Sequence, residues 1–158
     1  RLAEPLEKFR SKTRGGAKAV VFCTALFELL CDTGADKMVE ELAPDFMYMP
    51  VIQEKDECSE IIEKMDINYV GAELVFATEQ AEVAQPEYIE KLKSKGYFLW
   101  ANAILYSYKV QLSGGHTDNV AVTGNPEHGW GWLIDRGFDV IQTDWPMMLK
   151  DFIRKRNK

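Results

Sequence analysis

Three stretches decide the fold: Val70-Gly71-Ala72-Glu73-Leu74-Val75-Phe76-Ala77, the helix-forming run from Pro86 to Lys95, and the run from Tyr97 to Ile104. The first and third are short, rich in β-branched and aromatic residues, and almost continuously apolar. Strands covered on both faces of a parallel sheet look like this. Between them, Pro86 opens a helix and Gly96 caps it. Strand, helix and strand in that order make one β-α-β unit.

The same rhythm extends outward. Upstream, residues 1–14 carry Leu2, Leu6 and Phe9 at helical spacing, and Gly15-Gly16 stops that helix. Ala19 to Cys23 reads as a strand, and residues 25–42 as partly helical with a break at Asp32-Thr33-Gly34. Ala43-Pro44-Asp45 is a second break. Phe46 to Ile52 is a strand expected to fray or bulge at Pro50. Residues 57–65 form a helix with Ile61, Ile62 and Met65 on one face. Downstream, a polar segment spans 105–128, Trp130 to Arg136 is a helix ended by Gly137, and Phe138 to Thr143 is a strand. Asp144 is expected to cap the last helix, with Pro146 in its first turn and Met148, Leu149, Phe152 and Ile153 buried. There is no internal repeat beyond this alternation and no low-complexity linker. The expectation is one domain over 1–158, of α/β class, built of parallel β-α units.

Composition narrows the function. Lys and Arg number 19 against 25 Asp and Glu, for a net charge of −6. A hydrophobic fraction of 46% supports a core. A nucleic-acid partner would need clustered excess of Lys and Arg, which is absent. The one basic run, Arg154 to Lys158, reads as a helix end or, by preference, a disordered tail. No stretch approaches the ~18 apolar residues of a membrane span. The chain opens at Arg1 with no charged-then-apolar leader, as expected of a processed chain or a fragment. Cys23, Cys31 and Cys58 form no C-x-x-C and lie far from His116 and His128 in sequence. They read as reduced structural thiols, with no zinc site.

In β-α proteins the chemistry sits at the carboxyl ends of the strands, and the polar residues there are the ones to weigh. Trp100 and Asn102 share a strand face and could wall a polar ligand that has an apolar side. Taken alone, they read as a core tryptophan and a loop-capping amide. The Gly114-Gly115-His116-Thr117-Asp118 loop allows close backbone approach. His116 and Asp118 there could bind a metal, shuttle a proton or bond each other, or form a solvated turn. Gln142 and Trp145 flank the last strand end as substrate contacts, while Asp144 is occupied as a cap. Glu73 interrupts an apolar strand, and a buried carboxylate there needs a partner, a metal or a raised pKa. It reads as an orienting group or a metal ligand. Trp130, Trp132, Met47 and Met49 read as core.

From Tyr97 onward the chain resembles the glycerophosphodiester phosphodiesterase family. Phe98-Leu99-Trp100-Ala101-Asn102 is similar to that family's Trp-Thr-x-Asn strand. Trp132 to Pro146, through Gly137 and Thr143-Asp144, resembles its closing pattern of helix, Gly, apolar pair and Thr-Asp-x-Pro. Tyr48 to Ile52 and the Gly-Gly-His-Thr-Asp loop resemble a gut-bacterial branch. Residues 1–96 match mainly in rhythm. The resemblance implies a TIM barrel, with this chain supplying a partial barrel like strands four to eight. A full barrel takes ~250 residues, and this chain has 158. It further implies metal-dependent hydrolysis of glycerophosphodiesters to an alcohol and glycerol phosphate, with calcium or magnesium as cofactor.

The family's His-Arg-Gly, Glu-Asn-Thr and Glu-x-Asp motifs have no counterpart here, so the chain alone is expected to be inactive. His116 is then the sole catalytic candidate, and Glu73 the sole metal candidate. Glu73, Trp100, Asn102, His116, Asp118, Gln142 and Trp145 would face a small-molecule glycerophosphodiester, with Asp144 as the closing-turn acid. Trp145 stands where the family carries an arginine, so a phosphate contact is not carried over. The competing expectation is a non-catalytic, degenerate module that binds a partner or self-associates through open sheet edges.

Overall fold

The computed structural model of the chain describes residues 20–22, 47–56, 64, 68–106 and 110–157. The strands are β1 (Val20–Phe22), β2 (Met47–Met49), β3 (Val51–Gln53), β4 (Asn68–Tyr69), β5 (Gly71–Val75), β6 (Phe98–Asn102), β7 (Leu105–Tyr106), β8 (Val110–Gln111) and β9 (Val140–Gln142). The helices are α1 (Pro86–Ser94), α2 (Asp118–Val122), α3 (Trp132–Arg136) and α4 (Pro146–Arg156). Apart from Lys64, the expected helices at 1–14, 25–42 and 57–65 lie outside the described residues, as do all three cysteines.

The fold is mixed α/β with parallel strands in two sheets. One sheet runs β1-β2-β4 and the other β3-β5-β6-β9, all parallel. Only Pro50 separates β2 from β3, and only Val70 separates β4 from β5. Tyr48 stands opposite Tyr69 but Val51 stands opposite Glu73. The 68–75 run therefore carries one extra residue, a bulge beside the proline that cannot donate to the ladder. The break expected at Pro50 is thus present, and it also shortens the predicted Val70–Ala77 strand. The antiparallel pair β7-β8 occupies part of the segment expected to be irregular.

Strand alternation sorts the side chains. Ile52, Ala72, Leu74, Leu99 and Ala101 face the helices and pack with Ile89 and Leu92 of α1, Trp130, Leu133 of α3 and Leu149 of α4. The opposite face carries Met47, Met49, Val70 and Phe98, with Trp100 and Val140 packed on them. On that face Glu73, Trp100 and Val140 stand in register.

α1 and α3 end alike. After α1, Gly96 (φ 77°) donates to Lys93 O and Tyr97 to Leu92 O. After α3, Gly137 (φ 102°) donates to Ile134 O and Phe138 to Leu133 O. Both are Schellman closures, and the left-handed residue is glycine because a Cβ is disfavoured there.

Four expectations need correction, the first being Met148, which lies exposed on α4 rather than buried. The helix expected from Trp130 begins at Trp132, and a wider turn over Glu127–Gly131 precedes it. Asp144 does not cap α4: Trp145 holds the cap position with no side-chain cap bond. Pro146 takes the first helical position, which its fixed φ suits, so the helix starts one residue later than a cap at Asp144 requires. The basic run is not a disordered tail as far as Arg156, because α4 continues through it. Arg156 there forms two bonds to Asp135 and one to Glu127. A cation at a helix carboxyl end also suits the dipole. Among the described residues no helix is long and apolar enough to cross a membrane.

Candidate functional site

The carboxyl halves of the 68–75 and 98–102 runs hold a connected polar cluster. Trp100 Nε1 donates to Asn102 Oδ1 (3.2 Å), and Asn102 Nδ2 donates to Glu73 Oε1 (2.7 Å). An indole N–H can only donate, so it fixes which end of the amide faces it. The amide nitrogen must then turn to Glu73. Asn102 is buried, while Glu73 and Trp100 are half-buried. Asn102 stands in register with exposed Gln142. The sequence-level pairing of Trp100 with Asn102 is therefore a real contact, and the structure adds Glu73 to it. Glu73 is not sealed between two covered faces: it reaches the surface in part.

The segment after β6 folds over these strand ends. Phe76, just past β5, donates to Leu112 O and accepts from Gly114 N. Buried Ser113 accepts the Asn102 backbone N–H at 3.1 Å. A side chain at Gly114 would press on the Phe76 ring, at 3.0 Å from the added Cβ. Gly114 thus serves close packing of this loop on β5.

His116 and Asp118 point into different surroundings and do not bond each other. Asp118 is 3% exposed. Its Oδ1 accepts from Trp130 Nε1 (2.7 Å) and Thr143 Oγ1 (2.7 Å), and its Oδ2 accepts from Asp144 N (2.8 Å). Its own N–H donates to Ala103 O (2.7 Å). Both carboxylate oxygens are engaged by donors, and the residue ties the end of β6 to the end of β9.

His116 is fully buried and stacks on Trp132 with centroids 3.8 Å apart. Arg136 covers that indole, its guanidinium carbon 4.4 Å from the ring centroid. A carbonyl only accepts, so His116 Nδ1 carries the proton it shares with His128 O at 2.6 Å. Nε2 lies 3.0 Å from Glu79 Oε1. Burial pushes the His116 pKa below its ordinary value, against the opposing pull of the His128 carbonyl and the Glu79 carboxylate. The Glu79 contact becomes a full hydrogen bond only when the ring takes a second proton.

Trp145 and Asp144 are exposed at the start of α4. Their side chains make no hydrogen bond to Glu73 or Asn102. Sequence reasoning missed Ser113 and Glu79, because only the folded loop brings them beside Asn102 and His116. A groove of about 410 Å³ on the helical layer is lined by Ile89, Glu90, Lys93, Trp132, Asp135 and Arg136 among others. Its Lys93 is engaged with Asp139 and Gly137 O, and its Asp135 with Arg156.

The donor set does not by itself fit a metal centre. Among the described residues no group of three or more His, Cys, Asp and Glu side chains is placed to hold a metal ion. Asp118 has no carboxylate oxygen left unbonded, and both His116 nitrogens face protein oxygens. Glu73 is the one carboxylate of the strand-end cluster.

No curated protein matches this sequence. A family model, DUF4996, described as a domain of unknown function, matches residues 48–153. The match runs from β2 into α4, across the whole strand-end cluster, and spans more than half of the 158 residues. The chain belongs to the DUF4996 family.

Proposed function

We propose that this chain forms the substrate-side part of a phosphodiesterase-like barrel acting on glycerophosphodiesters. Counted as continuous runs, the parallel strands 20–22, 47–53, 68–75, 98–102 and 140–142 lie side by side in chain order. Sequential winding of this kind supports a partial barrel, since a doubly wound sheet reverses its order midway. The observation that carries the functional reading is the Trp100–Asn102–Glu73 hydrogen-bond chain at the strand carboxyl ends. In this reading Asn102 holds Glu73, and Glu73 accepts a hydrogen bond from the ligand. The described residues by themselves assemble no metal centre, and Glu73 acts on the ligand directly.

The test starts with the coding region upstream of the Arg1 codon. Expressed together with any in-frame His-Arg-Gly, Glu-Asn-Thr and Glu-x-Asp motifs, the protein should release glycerol phosphate from glycerophosphodiesters. Glu73→Gln and Asn102→Ala should each lower kcat/KM by about 10²-fold or more. Full activity in both variants would remove the cluster from the mechanism.

One observation favours a second reading, a self-associating module. Among the described residues β9 bonds only β6, leaving its other edge without a strand. Sedimentation of the pure chain as a monomer with slow hydrogen exchange along β9 would count against it.

A further inference from the structure

We propose that the Glu73–Trp100–Asn102 cluster is a binding site for a small organic cation, an alkylammonium group of the kind found in amino-alcohol head groups. The proposal rests on the reading that this strand end is the ligand site, and it names the part of the ligand that sits there.

Three features converge. The first is charge. Glu73 is half-buried, and among the described residues its carboxylate bonds to the neutral Asn102 amide rather than to a Lys or Arg. A carboxylate so placed favours a cationic partner. It also repels a phosphate, so the phosphoryl group of a diester belongs elsewhere along the strand ends.

The second feature is the wall. The cross-strand neighbours of Glu73 are Trp100 on β6 and Val51 on β3, and Val140 follows Trp100 in register. Met49 and Phe98 lie on the same apolar face. Aromatic and aliphatic groups around one negative charge suit a cation with an apolar surface. The indole adds its own attraction through its quadrupole. A hard metal ion asks for the opposite, a shell of six or more oxygens.

The third feature is rigidity. The Trp100 Nε1–H and one Asn102 Nδ2–H are engaged within the cluster, and Ser113 holds the Asn102 backbone. These groups orient Glu73 without competing for the ligand. Asn102 is 1% exposed, so it acts as a positioning residue.

Calorimetric titration of the full chain with choline, ethanolamine, glycerol phosphate or magnesium chloride tests the assignment. The indole N–H signal of Trp100 in the NMR spectrum is the local probe. Choline should bind and shift that signal, and Glu73→Gln should weaken it about tenfold or more. Trp100→Leu should weaken choline more than ethanolamine, because the quaternary group gains more from the ring. Circular dichroism checks that each variant folds. Should Glu73→Gln fail to fold, the Trp100 signal in the unaltered chain still decides. Glycerol phosphate binding with no response to choline would overturn the cation site and leave the phosphodiester reading standing. Magnesium binding lost in Glu73→Gln, again without choline binding, would replace the organic cation with a metal. No binding of any of the four would overturn both readings.

Discussion

Asp118 shows how much one side chain can hold. Its two carboxylate oxygens accept three donors from Trp130, Thr143 and Asp144, and its N–H reaches Ala103. Asn at this position keeps one oxygen but sets an amide N–H against whichever donor faces the other side. One buried donor is then left unsatisfied, at a cost of about 1–3 kcal/mol. Asp118→Asn should lower the free energy of urea unfolding by about that amount, and Asp118→Ala by more. An unchanged midpoint would mean the turn after β9 is held by something else. Asn102 behaves differently. Its amide is read by a pure donor on one side and a carboxylate on the other. Asn102→Asp puts a second negative charge beside Glu73, so one of the pair must take a proton near neutrality. The expected outcome is an unfolding free energy that falls as pH rises from about 5 to 8, a trend the unaltered chain lacks in that direction.

Among the described elements, β5 and β6 approach each other closely. Gly71 stands opposite Phe98, and an added Cβ would overlap the Phe98 carbonyl oxygen and lie 2.8 Å from its Cβ. Backbone on the partner strand cannot swing aside as a flexible side chain can. Gly71→Ala should therefore cost about 2–3 kcal/mol, and the lost protection in hydrogen exchange should map to β5 and β6. At α3 the constraint is conformational. Gly137 sits at φ 102°, and its substitution by Ala should cost about 1 kcal/mol without altering the sheet. A thermal unfolding midpoint that moves as far for Gly137→Ala as for Gly71→Ala would contradict this ranking.

At the scale of the whole molecule, acid should loosen the fold through His116. Its ordinary pKa is 6.5, and burial lowers it in the folded chain. The unfolded chain therefore takes the proton first. Stability owed to the neutral ring is complete above about pH 6.5 and falls as pH drops from there through the folded-state pKa. His116→Gln removes the titrating ring and should flatten the profile over that window. Parallel profiles for the two proteins would show that other groups govern acid sensitivity. Glu79→Gln should push the His116 pKa lower still, because the Glu79 carboxylate is one of the groups that raise it. Titration of the ring signals by NMR reads that shift directly.

The local sequence determined the β-α rhythm, the left-handed glycines after α1 and α3, and the interruption at Pro50. Each depends on neighbours within a few residues: apolar runs, a missing Cβ, a missing N–H. The strand-face pairing of Trp100 with Asn102 was legible for the same reason, since alternation is a property of one strand. Tertiary structure alone decided the rest. Glu73 joins Asn102 across 29 positions of sequence, and His116 meets Glu79 across 37. Asp118 reaches the Asp144 N–H only because the loop carries it to the end of β9. Hydrogen-bonding groups take the best partner that the fold brings within about 3 Å. The identity of that partner depends on strand order and loop path, which no local pattern of residues encodes.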